Sequence, residues 1–301
     1  TSGNGARSCT GFIVSTELSA EKTLREYPFS PHDFESVKRM IYARAGIALA
    51  DNRQEMVYTR LSKRLRATGS QGFGEYLNHL DKNAEDQEWE AFVNALTTNL
   101  TAFFREEHHF PVLAEHIKKR RSGQVMKLWC SAASTGEEAY SMAITMVEAF
   151  GSIKPPVRIL ATDIDTNVLA TATQGVYATE RLENMSPARI KRFFLKGSGS
   201  QAGYVQVKRE LQDMITFRQF NLLDAKWPLR GKFEAIFCRN VMIYFDKPTQ
   251  YRILEKFAPL LDQEGLLFMG HSEVFTHAAD LIKLCGRTIY KPVKQDSKPG
   301  G

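Results

Sequence analysis

The stretch from Trp129 to Ser141, WCSAASTGEEAYS, constrains this chain more than any other. Val125 to Trp129 reads as a strand buried on both faces, as in parallel sheets, and Ser131 to Gly136 offers no side chain large enough to keep a ligand off the backbone. Glu137 and Glu138 then open a helix. Strand, small-residue loop and helix in that order describe a crossover that holds a cofactor. Where such a fold takes a dinucleotide, the pyrophosphate sits at the helix N-terminus, whose partial positive charge favours anions. Two carboxylates at that place repel a phosphate and welcome a cation. S-adenosylmethionine presents an ammonium and a sulfonium and no phosphate, so it suits the loop. The competing reading is a plain helix start with acids matched to the dipole.

A second acid bears on that choice. Val157 to Asp163 (VRILATD) reads as the next parallel strand, and it ends in an acid about 30 residues after the loop, close to the spacing at which a strand-end carboxylate meets ribose hydroxyls. Asp163 is therefore a ribose-binding candidate, with a helix cap as the alternative because Asp165 and Thr166 also precede an apolar run. A third strand, Ile215 to Phe220, leads into Asn221 and Leu222. A fourth, Phe233 to Cys238, leads into Arg239 and Asn240. Four strand ends at one edge form the place where open sheets bind ligands.

The rest of the chain frames this sheet. Ser30, Pro31 and Asp33 form a helix start, and helical spacing runs through Phe34, Val37, Met40 and Ile41 to Gly46. Asp51 opens a second helix that stops at Gly69, and two more are expected around Gly74 to Leu80 and Glu85 to Leu96. The first hundred residues thus read as a small all-helical domain. Glu107 to Arg121 reads as a connecting helix, and alternating strand and helix patterns follow, implying a parallel sheet covered on both faces. Ile282 to Cys285 and Thr288 to Tyr290, flanking Gly286 and Arg287, predict a terminal hairpin. Between the second and third strands lie about fifty residues, too many for an ordinary crossover. They hold a helical pattern from Pro187 to Leu195, the run GSGSQAG and a strand-like stretch from Tyr204 to Val207, which together read as an inserted subdomain or an exposed elaboration without a task.

With 301 residues, 43% of them hydrophobic, the chain is long enough for two cored domains. No apolar run approaches the roughly 20 residues that span a bilayer, and the first residues lack a signal-peptide pattern, so no membrane insertion and a cytoplasmic location are expected. Cys9, Cys130, Cys238 and Cys285 show neither CxxC nor Cys/His spacing, which supports neither a disulfide framework nor a metal site. The last three fall in or beside strands, where buried reduced cysteines are expected. The net charge of +6 suits an acidic partner, and nucleic acid remains an alternative.

Several strings in order carry a family resemblance: NLTAFFRE (Asn99 to Glu106), ASTGEEAYS (Ala133 to Ser141), ATDID (Ala161 to Asp165), FCRNVMIYF (Phe237 to Phe245) and GHSE (Gly270 to Glu273). They closely resemble the bacterial chemotaxis receptor methyltransferases, the CheR family of protein-glutamate O-methyltransferases, from about Phe29 to Tyr290. Ala139 stands where that family usually has proline, a change that costs a helix little. The resemblance implies an α/β fold: a Rossmann-like class I S-adenosylmethionine-dependent methyltransferase sheet with a small all-helical N-terminal domain and an inserted small β-subdomain. The expected layout is a flexible segment at 1–28, the helical domain at 29–98, a linker and connecting helix at 99–124, and the methyltransferase domain at 125–293. The insertion falls at about 175–216 and a flexible tail at 294–301.

By the same resemblance, methyl transfer from S-adenosylmethionine to receptor glutamates leaves S-adenosylhomocysteine. Glu137 matches the acceptor for the methionine ammonium and Asp163 the ribose ligand, while Asn221 and Leu222 match the pair beside adenine. Arg239 and Asn240 close the pocket, and Asn99, Thr101 and Arg105 reach the cofactor from the interdomain segment. Arg105 and Tyr244 are the catalytic candidates, against an interdomain ion pair for the first and a packing tyrosine for the second. The helix carrying Arg53, Arg60, Lys63, Arg64 and Arg66 becomes a docking face for acidic methyl-accepting receptors, otherwise a solvated face. A receptor C-terminal peptide is expected on the insertion, through an edge offered by Tyr204 to Val207. The protein is expected to be a monomer.

Two other functions compete. A nucleic-acid methyltransferase suits the basic charge, but Asn240 to Ile243 lack the Asn-Pro-Pro-aromatic motif of base amino methylation. A non-catalytic cofactor-binding signalling module is the other, and the presence of Arg105, Glu137, Asp163 and Tyr244 argues against it.

Overall fold

The computed structural model describes residues 25–83, 87–120 and 124–293. The expected flexible ends, Cys9, the Glu85 start of the fourth helix and Arg121 lie wholly or largely outside the described residues.

Helices α1 (Pro31–Ala45), α2 (Gln54–Thr68), α3 (Phe73–Lys82) and α4 (Gln87–Leu96) pack around one apolar cluster that includes Phe34, Ile41, Leu61, Tyr76 and Phe92. The start of α1 follows from its sequence. Ser30 Oγ accepts from Asp33 N (3.1 Å), and the Asp33 carboxylate accepts from Ser30 N (2.9 Å), so two helix-end donors are satisfied reciprocally. Asp51–Arg53 forms a 3₁₀ turn ahead of α2 rather than its first turn.

The second part runs α5 (His109–Lys119), β1 (Met126–Cys130), α6 (Glu137–Phe150), β2 (Val157–Asp163) and α7 (Thr166–Gln174). The insertion follows with β3 (Val176–Ala178), α8 (Pro187–Phe193), β4 (Phe194–Lys196), β5 (Tyr204–Val207) and α9 (Arg209–Gln212). The sheet resumes with β6 (Ile215–Gln219), β7 (Phe233–Cys238), α10 (Lys247–Phe257), β8 (Leu261–Met269), β9 (Ile282–Gly286) and β10 (Ile289–Pro292). Seven strands lie in the order β6-β2-β1-β7-β8-β10-β9. The first five are parallel and β10 is antiparallel to both its neighbours. After β1 the chain winds one way through β2 to β6, then returns to β7 on the other side of β1. That reversal opens a crevice beyond the carboxyl ends of β1 and β7.

Several local expectations shift. The first strand begins at Met126, leaving Val125 exposed, and the third stops at Gln219. The hairpin forms, but Arg287 and Thr288 make its turn, Thr288 in a left-handed conformation (φ 54°). Cys130 and Cys238 are buried as expected, whereas Cys285 is exposed because β9 is the sheet's edge. The expected helix over Pro187–Leu195 ends at Phe193, and its last residues pair as β4. The largest departure concerns β5. It is the central strand of the three-stranded sheet β3-β5-β4, paired antiparallel on both sides, and so offers no free edge.

Candidate functional site

A cleft of about 410 Å³ opens at the reversal point, a size within the usual range for small-molecule sites. Its walls come from the ends of β1, β2, β6 and β7, from residues 96–101 and 105, and from the loop after α1. Asn99, Thr101, Arg105, Asp163, Asn221, Leu222, Arg239, Asn240 and Tyr244 all line it. Of the residues expected there, Glu137 alone does not. Its side chain is fully buried and bonded to Thr135 Oγ1 (2.6 Å) and to the guanidinium of Arg181. Glu138 faces the cleft in its place.

Asp163 is not a helix cap. Asp165 does that work, accepting from Asn167 N (2.9 Å) and Val168 N (3.4 Å). Asp163 accepts from Ser134 N (2.8 Å) and Asp165 N (3.0 Å), so it fixes the small-residue loop against β2. A carboxylate has about four lone-pair sites, which leaves capacity for ligand hydroxyls. Burial raises its pKa, against the backbone bonds that lower it. Glu138 is likewise pushed up by burial and pulled down by Arg239, whose Nη1 lies 3.1 Å from Glu138 Oε2. An ammonium placed in the cleft relieves the same burial cost, which fits a cationic amino acid moiety.

Arg239 ties the site together. Its buried guanidinium sits between Glu138 and Glu106 (3.6 Å) and donates through Nη2 to the Arg105 carbonyl. Glu106 accepts in turn from Asn240 Nδ2 (3.2 Å) and His271 N (3.1 Å). Phe104 and Glu106, on either side of Arg105, are both left-handed (φ 53° and 52°), as are Ser134 (49°) and Asn240 (58°). Such backbones cost about 1–3 kcal/mol each and persist where the surroundings over-determine them. Arg105 itself has one internal side-chain partner among the described residues, the Leu100 carbonyl (Nη1, 2.8 Å). Tyr244 is half-buried against the helical domain, its carbonyl accepting from Ala48 N (2.8 Å).

Glu106, His108 and His109 bring potential metal-ligand atoms within 4.8 Å of one another. The Arg239 guanidinium already faces that carboxylate, and burial holds the His109 imidazole neutral, its pKa down at about 3.

The basic run divides. Arg60 Nη1 donates to the carbonyls of Ala95 (3.3 Å) and Thr97 (2.5 Å), closing the end of α4, and Arg64 forms a two-bond pair with Glu88 (2.9 and 2.6 Å). Arg66 pairs at the surface with Glu26 (2.6 Å). Arg53 and Lys63 are exposed, and Arg53 also lines the cleft.

Glu106, Ser134 and Glu273 carry site geometry that their sequence positions did not reveal, although FRE, ASTG and GHSE contain them. Among the described residues no helix is long and apolar enough to cross a membrane.

Fold, cleft and family model together define an S-adenosylmethionine-dependent methyltransferase. Residues 99–291 match the model described as CheR methyltransferase, SAM binding domain, and residues 32–97 that of CheR methyltransferase, all-alpha domain. The chain belongs to the CheR methyltransferase family. It is 53% identical over 269 residues to the chemotaxis protein methyltransferase 2 of Pseudomonas aeruginosa, covering 89% of this chain and 95% of that relative. The chemotaxis protein methyltransferase of Klebsiella aerogenes is 51% identical over 268 residues (89% and 92%), and that of Escherichia coli 50% over 275 (91% and 95%).

Proposed function

We propose that this chain esterifies glutamate side chains of chemotaxis receptors, acting as a cytoplasmic monomer, with Glu138 rather than Glu137 receiving the methionine ammonium, Asp163 the ribose hydroxyls, and Arg105 and Tyr244 the reacting groups. One observation carries the reading: the cleft pairs two acids suited to a cationic cofactor with an arginine whose fork is almost unengaged, and among the described residues that line it no nucleophile–base pair accompanies them. An acceptor that needs no base is one already anionic, and a glutamate with a pKa of about 4.3 is ionised at neutral pH. The relatives' names, chemotaxis protein methyltransferase, support the same partner class.

S-adenosylmethionine supplies the methyl as an electrophile on sulfur. With it held by Glu138 and Asp163, a carboxylate oxygen would take the methyl as the carbon–sulfur bond gave its electron pair to sulfur, and no proton would need to move. The chain's part is alignment and exclusion of water. Arg105 holds the carboxylate by its fork, and the loop after α1 covers the cleft.

The docking charge is narrower than the basic run. Arg53 and Lys63 are free to meet an acidic receptor helix, and Arg66 joins them because exposed pairs such as Arg66–Glu26 contribute little. Incubation with radiolabelled S-adenosylmethionine and receptor-bearing membranes should give label released as methanol by alkali, at a rate that falls with salt because exposed charges are screened over about 8–10 Å. Alkali-stable label on RNA, or no transfer despite binding, would overturn the reading.

A receptor C-terminal peptide is proposed to add to the insertion along β3 or β4, the strands with a free edge. Amide exchange with a synthetic peptide should slow at 176–178 or 194–196 and stay unchanged at 204–207, already paired on both sides. Protection confined to the cleft would remove the tether.

A further inference from the structure

The insertion is joined to the cleft by more than its two chain connections. Arg181, just after β3, reaches out of it to the first turn of α6, where Nε donates to Glu137 Oε1 (3.1 Å) and Nη2 completes an ion pair with the same oxygen. The same Nη2 donates to the carbonyl of Thr101 (3.2 Å), a cleft residue. Two residues on, the buried ring of Phe103 is wedged between Tyr177 of β3 (5.1 Å between centroids) and Phe194 of β4 (5.5 Å), both edge-on. Phe104 N then donates to Ser141 Oγ (2.9 Å), which itself donates to the Glu137 carbonyl (2.6 Å). Arg189 of α8 lies over the Phe104 ring (4.3 Å) while gripping Glu148 of α6 (2.9 and 2.8 Å). Tyr177 also donates to the Thr135 carbonyl in the cofactor loop (2.6 Å). Glycine is required beside it, since at Gly136 (φ 97°) a Cβ would come within 3.0 Å of that hydroxyl and 2.8 Å of Ala172 Cβ.

Apart from the Tyr177–Thr135 bond and the close approach at Gly136, which fix the 133–136 loop, these contacts bear on the short path from Thr101 to Glu106, the segment whose left-handed turns at Phe104 and Glu106 present Arg105. A strained backbone returns to commoner conformations when its supports are removed. We infer that Arg181 is a positioning residue for methyl transfer: by bridging Glu137 and the Thr101 carbonyl, while Phe103 is wedged between the insertion's outer strands, it fixes the segment that presents Arg105. This explains why a buried acid at the mouth of α6 does not line the cleft. Glu137 anchors the arginine, and the helix N-terminus favours its charge. The inserted subdomain is then part of the active site as well as a candidate tether. The inference rests on the proposed reaction for its kinetic arm only.

The test compares wild type with Arg181→Ala and with the double variant Arg181→Ala/Glu137→Gln, which removes the unpaired buried charge and keeps the fold testable. The substrate is a receptor fragment without its C-terminal peptide, so that tethering plays no part. At saturating S-adenosylmethionine both variants should lose about ten- to a hundredfold in kcat, in line with misplacement of a positioned group by about 1 Å. Cofactor Kd by calorimetry should change less than about threefold, since Arg181 does not line the cleft. Dilute guanidinium should restore part of the rate to Arg181→Ala, where the Glu137 carboxylate remains to hold it, and amide exchange should quicken across 101–106 in both variants. Unchanged kcat and unchanged exchange, or a loss matched by lost cofactor affinity and untouched by guanidinium, overturns the inference. Wild-type enzyme that does not methylate the fragment defeats the proposed reaction instead, and the exchange comparison still decides the positioning.

Discussion

Arg105→Ala is expected to lower methyl transfer at saturating S-adenosylmethionine by about 10²- to 10³-fold, the usual cost of losing one positioned polar group at a reacting centre. Carboxylate and sulfonium begin as opposite charges and end neutral, so a cation that merely pairs with the carboxylate stabilises the reactants more than the transition state. Only interactions that strengthen toward the transition state raise kcat. In the proposed reaction Arg105 would therefore act by alignment, holding two carboxylate oxygens in its planar fork so that one points along the carbon–sulfur axis. The structure builds that fork carefully: left-handed residues on both sides, the Arg105 carbonyl held by Arg239, and the side chain steadied by the Leu100 carbonyl. Arg105→Lys separates charge from geometry. It should recover much of the receptor KM and little of kcat, read in single turnovers with cofactor saturating. A lysine variant with wild-type kcat would show that charge alone suffices.

The sheet was legible because its inner strands are mostly buried and apolar, Met126–Cys130 and Val157–Asp163 above all, each interrupted near its start by one exposed basic residue, Lys127 and Arg158. Helix α1 was legible because its cap, Ser30 with Asp33, is local. The lining of the cleft was legible where a strand end dictates position, as at Asp163, Asn221 and Arg239. It was illegible between Glu137 and Glu138. Neighbouring residues on a helix point about 100° apart, and which of them meets the cleft depends on the tilt of α6 against β1, a property of packing. The same holds for the basic run. Arg60 and Arg64 read as surface charge, but their partners lie 35, 37 and 24 residues away at Ala95, Thr97 and Glu88, which periodicity does not reach. The order of the insertion's strands failed for a related reason. Phe194–Lys196 is three residues long and follows directly on α8, so its pairing with β5 leaves no local trace. Glu273 shows the same limit: as part of GHSE it marks the family, while its work is visible only through four partners.

That work sets the second large effect. The Glu273 carboxylate is buried and accepts from the backbone N–H groups of Asn240 (3.1 Å), Met242 (2.8 Å), Ile243 (3.3 Å) and Gly270 (2.5 Å). It thereby knots the end of β7 to the end of β8 and shapes the segment bearing Arg239, Asn240 and Tyr244. Gly270 has no room for a side chain, since a Cβ there would lie 2.5 Å from Asn240 Nδ2 and 2.7 Å from the Glu273 carboxylate. Glu273→Ala removes every acceptor and leaves four donors behind. At about 1–3 kcal/mol for each unsatisfied buried group, with water entering the gap, a loss of roughly 3–5 kcal/mol is expected, a large share of the 5–15 kcal/mol that holds a typical domain together. Glu273→Gln should cost only about 1–2 kcal/mol, because the amide oxygen retains some of the bonds. Burial also pushes the carboxyl pKa up despite its four donors, so the charge carries a penalty that the neutral amide avoids. Urea unfolding measures both, and calorimetry with S-adenosylmethionine at low temperature, where the alanine variant is still folded, measures the site. The alanine variant should bind the cofactor at least tenfold more weakly, while the glutamine variant stays close to wild type. Equal stability and affinity in all three proteins would mean that β7 and β8 hold the 239–245 segment without the knot, and Glu273 would lose its role.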